Sequence, residues 1–226
     1  MNSIENIIAE TSRESIASGI IRIQYLPYNI EYALRVVMRI AEGLVPGFTM
    51  TPEVAQMYKE LIRYFHGDPT FCGDLRKGLI LMGNTGSGKT LAMRVMQVYR
   101  QIDNIHYIKN NKPYRMQYEI LHVDDAVRRF ITEGYGGVEE YERRYILCLD
   151  DIGAESERVK HFGNDIDIIG HIVSERCKPG LLTFATTNFP EETLAEAYND
   201  RTVSRMHEMF NFLTLKERDF RRGNSM

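Results

Sequence analysis

Gly83-Asn84-Thr85-Gly86-Ser87-Gly88-Lys89-Thr90 is the stretch whose reading decides the fold. It has the pattern G-x-x-x-x-G-K-[ST] of a phosphate-binding loop, or Walker A motif. Lys77-Gly78-Leu79-Ile80-Leu81-Met82 before it reads as a short buried strand, and Leu91 to Arg100 after it as a helix. Glycines at 83, 86 and 88 let the backbone approach a phosphate with no Cβ in the way. The backbone N–H groups then form an anion cradle at a helix N-terminus. In this pattern Lys89 reaches the β- and γ-phosphates and the Thr90 hydroxyl ligates Mg²⁺. The nucleotide-binding set is therefore Gly83, Asn84, Thr85, Gly86, Ser87, Gly88, Lys89, Thr90 and Leu91, with ATP and Mg²⁺ as the expected cofactors.

Composition bounds what this loop can serve. The chain has 226 residues, 43% hydrophobic and 26% charged, ordinary values for a globular protein with one sizeable domain and an appendage. Its net charge of −3 provides no global basic field for gripping duplex nucleic acid, though a local basic groove is compatible with it. Cys72, Cys148 and Cys177 are far apart and form no C-x-x-C pair, which argues against a zinc site or a disulfide framework. Met1 to Asn6 lacks the basic start of a signal peptide, and no stretch approaches the roughly 18 apolar residues of a membrane span. A cytoplasmic protein with no membrane partner is expected.

Ahead of the loop, the chain reads as helical and shows no recognisable chemistry. Ile20-Ile21-Arg22-Ile23 is an extended piece of ambiguous type. Asn29 is a candidate cap for a helix with Ile30, Ala33, Leu34, Val37 and Ala41 on one face, ended by Pro46-Gly47. Thr51-Pro52 opens another helix, with Val54, Tyr58, Leu61 and Phe65 as its buried stripe. We divide the chain into a helical N-terminal extension, residues 1–50, and a nucleotide-binding core, residues 51–226. The extension reads equally as packing on the core and as a docking module for a partner.

Beyond the loop helix, Asp103 to Pro113 reads as a polar loop, Tyr118 to Val123 as a strand, and Asp124 to Thr132 as a helix broken at Gly134. Tyr145-Ile146-Leu147-Cys148-Leu149 is a continuous apolar run of the kind found in strands buried on both faces. It ends in Asp150-Asp151-Ile152-Gly153, 61 residues after Lys89, where a Walker B motif is expected. Asp150 would hold Mg²⁺, and Asp151 is placed to orient or deprotonate an attacking water. Glu155 to His161 reads as a solvated charged loop. Leu181 to Thr186 is a further buried strand, delivering Asn188 to the C-terminal edge of the sheet. The alternation predicts an α/β, three-layer P-loop NTPase fold with a mainly parallel sheet, and with at least one β–α unit between the loop strand and the Asp150 strand.

Together, Gly83–Thr90, Leu147 to Gly153 and Thr186-Thr187-Asn188 resemble the AAA+ ATPases. The closest resemblance is to the helicase-loader branch of DnaC type and its transposon relative, the IstB-type helper ATPase. The tail contributes Asp200-Arg201-Thr202-Val203-Ser204-Arg205-Met206, the strand-like Phe210 to Leu215, and Asp219-Phe220-Arg221. The resemblance spans about residues 55 to 222. It implies that Asn188 is the sensor-1 residue that helps place the lytic water. Arg205, with Arg201 as competitor, matches the arginine finger given to a neighbour's ATP, and Arg221 the sensor-2 arginine. It also implies a nucleotide-dependent homo-oligomer. A chain ending soon after Arg221 carries no C-terminal helical lid domain, as in that branch. The residue after the Walker B Asp is Asp151 rather than Glu, one methylene shorter, which implies slow hydrolysis suited to a switch.

Three functions compete. The first is an ATP-driven helicase loader in DNA replication, acting on single-stranded DNA and a replicative helicase. In that picture Arg128 and Arg129 are candidate phosphate contacts, the alternative being one solvated helix face. The second is an ATPase helper of a DNA transposase. The third is a small-molecule P-loop kinase, for which the arginine-rich lid is not recognisable.

Overall fold

The computed structural model describes residues 22–155, 159–161 and 164–215. The loop strand, β2 (Gly78–Met82), is buried at all five positions, so its backbone hydrogen bonds must be met by strands on both sides. They are met by β10 (Phe210–Thr214) on one edge and β9 (Leu182–Thr187) on the other. Beyond β9 lie β6 (Ile146–Asp150) and β5 (Glu119–His122). The five-stranded sheet has the order β10-β2-β9-β6-β5, and every pairing is parallel.

Alternation along β2 divides the core in two. Leu79 and Leu81 face one helical layer, and Ile80 and Met82 the other. The first layer comprises α1 (Ile30–Leu44), α2 (Pro52–Phe65) and α3 (Lys89–Ile102). Tyr58, Leu61 and Phe65 of α2 and Val95 and Tyr99 of α3 share one apolar cluster with Ala33, Val37 and Ala41 of α1. The second layer comprises α4 (Val123–Glu133), α5 (Tyr135–Arg143), α6 (Ile168–Cys177) and α8 (Asp200–Met209), with the short α7 (Glu191–Ala197) before α8. This is the three-layer α/β arrangement with the predicted parallel sheet. The β5–α4 unit lies in sequence between the loop strand and the Asp150 strand.

The expected caps form. The Asn29 side chain accepts from the Tyr32 N–H at 2.9 Å, and the Thr51 hydroxyl oxygen from the Val54 N–H at 3.4 Å. His66, 2% exposed, ties the segment before α1 to α2 and α3. Its Nδ1 lies 3.0 Å from the Leu26 carbonyl oxygen, its Nε2 lies 2.8 Å from the Tyr99 hydroxyl, and Tyr28 stacks on the ring at 4.2 Å.

The structure corrects two readings of the sequence. Asp103 to Pro113 is not a loop: β3 (His106–Lys109) and β4 (Lys112–Arg115) form an antiparallel hairpin. Asn110 and Asn111 both take left-handed conformations at its tip (φ 51° and 56°), as a two-residue hairpin turn requires. Arg22–Ile23, the described part of the ambiguous piece, is β1 and pairs with β3, giving a second, three-stranded sheet. The stretch after Gly153 is not all solvated loop either, because Glu155 is half-buried and Val159–His161 forms a strand, β7, with β8 (Asn164–Ile166).

Arg176 on α6 is fully buried. Its guanidinium donates to the Thr183 hydroxyl at 3.0 Å and to the carbonyls of Tyr141, Arg144 and Leu182 at 2.6, 2.7 and 2.9 Å. It thereby supplies donors to the C-terminal end of α5, where helical carbonyls lack partners of their own. Burial pulls its pKa down to about 9.

Gly78 opens β2 at a point of close approach. A Cβ there would lie 1.7 Å from the Thr183 carbonyl oxygen, a backbone atom of the neighbouring strand. Gly78→Ala is expected to lower the unfolding free energy by about 3 kcal/mol, seen as a reduced urea midpoint with an unchanged m-value. An unchanged midpoint would show that the strands separate there at no cost.

Candidate functional site

The C-terminal ends of β2, β9 and β6 converge where the loop begins. The Leu215 N–H donates to the Met82 carbonyl at 2.7 Å, laying the end of β10 against the loop entrance. A Cβ on Gly83 would stand 2.7 Å from the Leu215 carbonyl oxygen and 2.9 Å from the Ser87 hydroxyl, so only glycine passes there. Gly88, at φ 91°, sits at the N-cap of α3 and has no side chain to cap it. By contrast α1, α2, α6 and α8 are capped by Asn29, Thr51, Asp167 and Asn199. The first N–H groups of α3 are thus left for an anion held by the loop.

Lys89 is 4% exposed and folds back over this loop. Its ammonium donates to the carbonyls of Gly83 and Asn84 at 2.8 and 3.0 Å and to Asn188 Oδ1 at 2.8 Å, and it lies 3.4 Å from the Ser87 hydroxyl. Asn188 follows β9, and its Nδ2 donates to Asp151 Oδ1 at 3.3 Å. One amide therefore bridges the loop lysine and the second Walker B carboxylate.

Asp150, 6% exposed, accepts hydrogen bonds at Oδ1 from the Thr90 hydroxyl at 2.8 Å and from the Thr186 hydroxyl at 2.7 Å. The Thr186 oxygen in turn accepts from the Asp151 N–H at 2.9 Å. Asp151 takes a left-handed conformation, φ 66°, rare for a residue with a side chain. The turn behind it is clamped by Tyr198, whose hydroxyl accepts from the Gly153 N–H at 2.9 Å and donates to Glu155. Burial pushes the Glu155 carboxyl above its ordinary range, partly offset by the Tyr198 hydrogen bond.

The structure thus brings Lys89, Thr90, Asp150, Asp151 and Asn188 into one bonded network at the end of the sheet. It also adds His122, which the sequence reading missed. His122 ends β5 in register with Asp150. Its Nδ1 accepts from the Asp124 N–H at 3.3 Å, which leaves the proton on Nε2, 3.7 Å from Asp151 Oδ2. Its position in the register, one strand over from the Walker B end, is the signal that could have found it.

Arg201 and Arg205 lie elsewhere, one turn apart on α8 and unbonded to this network. Arg205 Nη1 is buried and has no hydrogen-bond partner among the described residues. Arg221 lies outside the described residues. Of the two arginines considered as phosphate contacts, Arg129 is engaged with Glu140, Glu133 and the Tyr141 hydroxyl, and Arg128 lies 3.6 Å from Asp125.

A magnesium ion fits this donor set. Thr90 and Asp150 offer two hard oxygens side by side, and no cluster of three or more His, Cys, Asp or Glu suited to a metal occurs among the described residues. That is the donor set of an ion carried largely by phosphates and water rather than by a protein cage.

No protein-family model matches the chain, and no curated protein is significantly similar to it. Solved structures do match. DnaI shares 20% identity, with 92% of this chain and 98% of that one covered and a TM-score of 0.54. A structure described as a primosome component from Streptococcus pyogenes serotype M3 shares 18%, with 90% and 96% covered and a TM-score of 0.55. Domain III of the Thermotoga maritima replication initiation protein DnaA shares 17%, with 84% and 69% covered and a TM-score of 0.51. The fold is the AAA+ P-loop fold. No helix among the described residues is long and apolar enough to cross a membrane.

The clamp behind Asp151 makes a pH-dependent prediction. A carboxyl whose folded pKa lies above its unfolded value, here 4.5, destabilises the folded state increasingly as pH rises through and beyond that value. Glu155→Gln keeps an acceptor for Tyr198 and should raise the melting temperature at pH 7, with the gain vanishing as pH falls below about 4.5. A gain that is independent of pH would show that Glu155 carries no buried charge.

Proposed function

We propose that this chain is an ATP-driven AAA+ switch of the helicase-loader kind, which binds and slowly hydrolyses ATP. The observation that carries the reading is the Asn188 amide, bonded to the Lys89 ammonium on one side and the Asp151 carboxylate on the other. In it, the group that holds the γ-phosphate and the group that orients the attacking water share one linker. The loop N–H groups and Lys89 hold the phosphates. Thr90 and Asp150 would hold Mg²⁺, which would supply positive charge at the phosphates. Asp151 takes the proton of the lytic water, and Asn188 positions that water.

Arg205 completes a neighbour's site rather than its own. Its place on α8, outside the network, supports that role, with Arg201 one turn away as the alternative. Arg221 is assigned to the γ-phosphate in cis. ATP then stabilises a homo-oligomer on single-stranded DNA and a replicative helicase, and hydrolysis releases it in the cytoplasm. The fold shared with DnaI over nearly the whole of both chains favours this reading over the transposase helper and the small-molecule kinase.

Light scattering with parallel ATPase measurement tests it. Assembly with a non-hydrolysable ATP analogue and a specific rate that rises with protein concentration are expected. Lys89→Ala should abolish tight ATP binding. Arg205→Ala should leave binding intact and lower turnover on the order of 10³-fold. A monomer whose rate ignores concentration would overturn the switch, and full turnover in Arg205→Ala would overturn the finger.

A further inference from the structure

The β3–β4 hairpin is chemically unlike the rest of the chain. Residues 104–118 contain no Asp or Glu, yet carry Lys109, Lys112 and Arg115, in a protein of net charge −3. Register places Lys109 directly opposite Lys112, and Tyr107 opposite Tyr114. Like charges facing each other across an antiparallel pair cost stability unless something else neutralises them. No carboxylate pairs with Lys109, Lys112 or Arg115 among the described residues. All four residues of β4 are exposed.

On the same face stands a row of tyrosines. Tyr107, 6% exposed, stacks with Tyr114 at 5.6 Å between ring centroids. Its phenol is raised by burial first, then by Tyr145 and Tyr114, which places both near it. Tyr114 and Tyr145 are 43% and 52% exposed. The Lys109 ammonium lies 3.4 Å from the Tyr145 ring centroid. Aromatic faces braced by a buried ring, beside ammonium groups that no carboxylate neutralises, are what unstacked bases and their phosphates require. A duplex would hide its base faces from these rings. An acidic peptide would use the lysines but leave Tyr114 idle.

We propose that the Tyr107–Lys109–Lys112–Tyr114 face of the hairpin, with Tyr145, is a binding surface for single-stranded nucleic acid. Bases stack on Tyr114 and Tyr145, and phosphates sit on Lys109 and Lys112. The surface deepens the loader reading and rests on its single-stranded DNA partner. It is built on a different element from α4, where Arg128 and Arg129 were the sequence candidates for that contact.

The test is fluorescence anisotropy of labelled oligo-dT with the full chain and a non-hydrolysable ATP analogue. Tyr114→Ala and Lys112→Glu should each weaken binding about tenfold, with analogue binding unchanged. Lys112→Ala should reduce the salt slope by about 1. The chain has no tryptophan, so Tyr114→Trp supplies a single reporter whose emission oligo-dT should quench. Duplex of equal length should bind more weakly. Wild-type affinity in both Tyr114→Ala and Lys112→Glu, alongside loss in Arg128→Glu, would overturn the hairpin and leave the loader reading standing. Equal affinity for duplex, or displacement by poly-glutamate with no effect of Tyr114→Ala, would also overturn it. No binding by the wild type in any nucleotide state would remove both the hairpin and the single-stranded DNA partner.

Discussion

The parallel ladder that seats β9 between β2 and β6 is the constraint on which the site depends. Leu81 pairs with Thr186 and Met82 with Thr187 on one side, and Leu149 pairs with Ala185 on the other. All three strands are buried on both faces, so their backbone groups have no water to fall back on and the ladder must be complete. A slip of one residue would turn Thr186 away from Asp150 and carry Asn188 out of reach of Lys89. The geometry of these groups is therefore a consequence of strand register rather than of loop shape alone.

Within that frame the site is charged and internally satisfied. Lys89 and Asp150 are both nearly buried, a costly placement unless polar partners replace water. Carbonyls of the loop and the Asn188 amide surround the ammonium, and two threonine hydroxyls surround the Asp150 carboxylate. Such groups need little reorganisation when charge develops between them. The one strained element is Asp151, and its left-handed turn is held by the Tyr198–Gly153–Glu155 clamp, so local strain is met by packing a few residues away.

Much of this was legible in the chain because the signals are local. The loop, its strand and its helix occupy consecutive residues. The apolar run before Asp150 and the strand before Asn188 each announce a buried strand by composition alone. The caps at Asn29 and Thr51 needed only one residue type followed by a periodic stripe. What escaped was non-local or disguised. Lys and Pro in β4 read as loop because an exposed edge strand carries the residues that strands usually avoid. Nothing local marks Arg176, whose four acceptors come from the end of α5 and from β9. Glu155 read as surface because Tyr198, its partner, lies 43 residues away.

Sequence by itself determined the chemistry: a phosphate loop with its lysine and hydroxyl, two carboxylates at a strand end, a polar residue after another strand, and a parallel α/β layering to carry them. These follow from residue types and short periods, which need no knowledge of what lies across the sheet. Tertiary structure decided which groups touch. It placed Asn188 between Lys89 and Asp151, brought His122 beside Asp151, left Arg205 outside that bonded network, and turned an apparent loop into a basic, tyrosine-lined hairpin. Those outcomes depend on strand order and register, which join segments distant in sequence and which no local window of residues encodes.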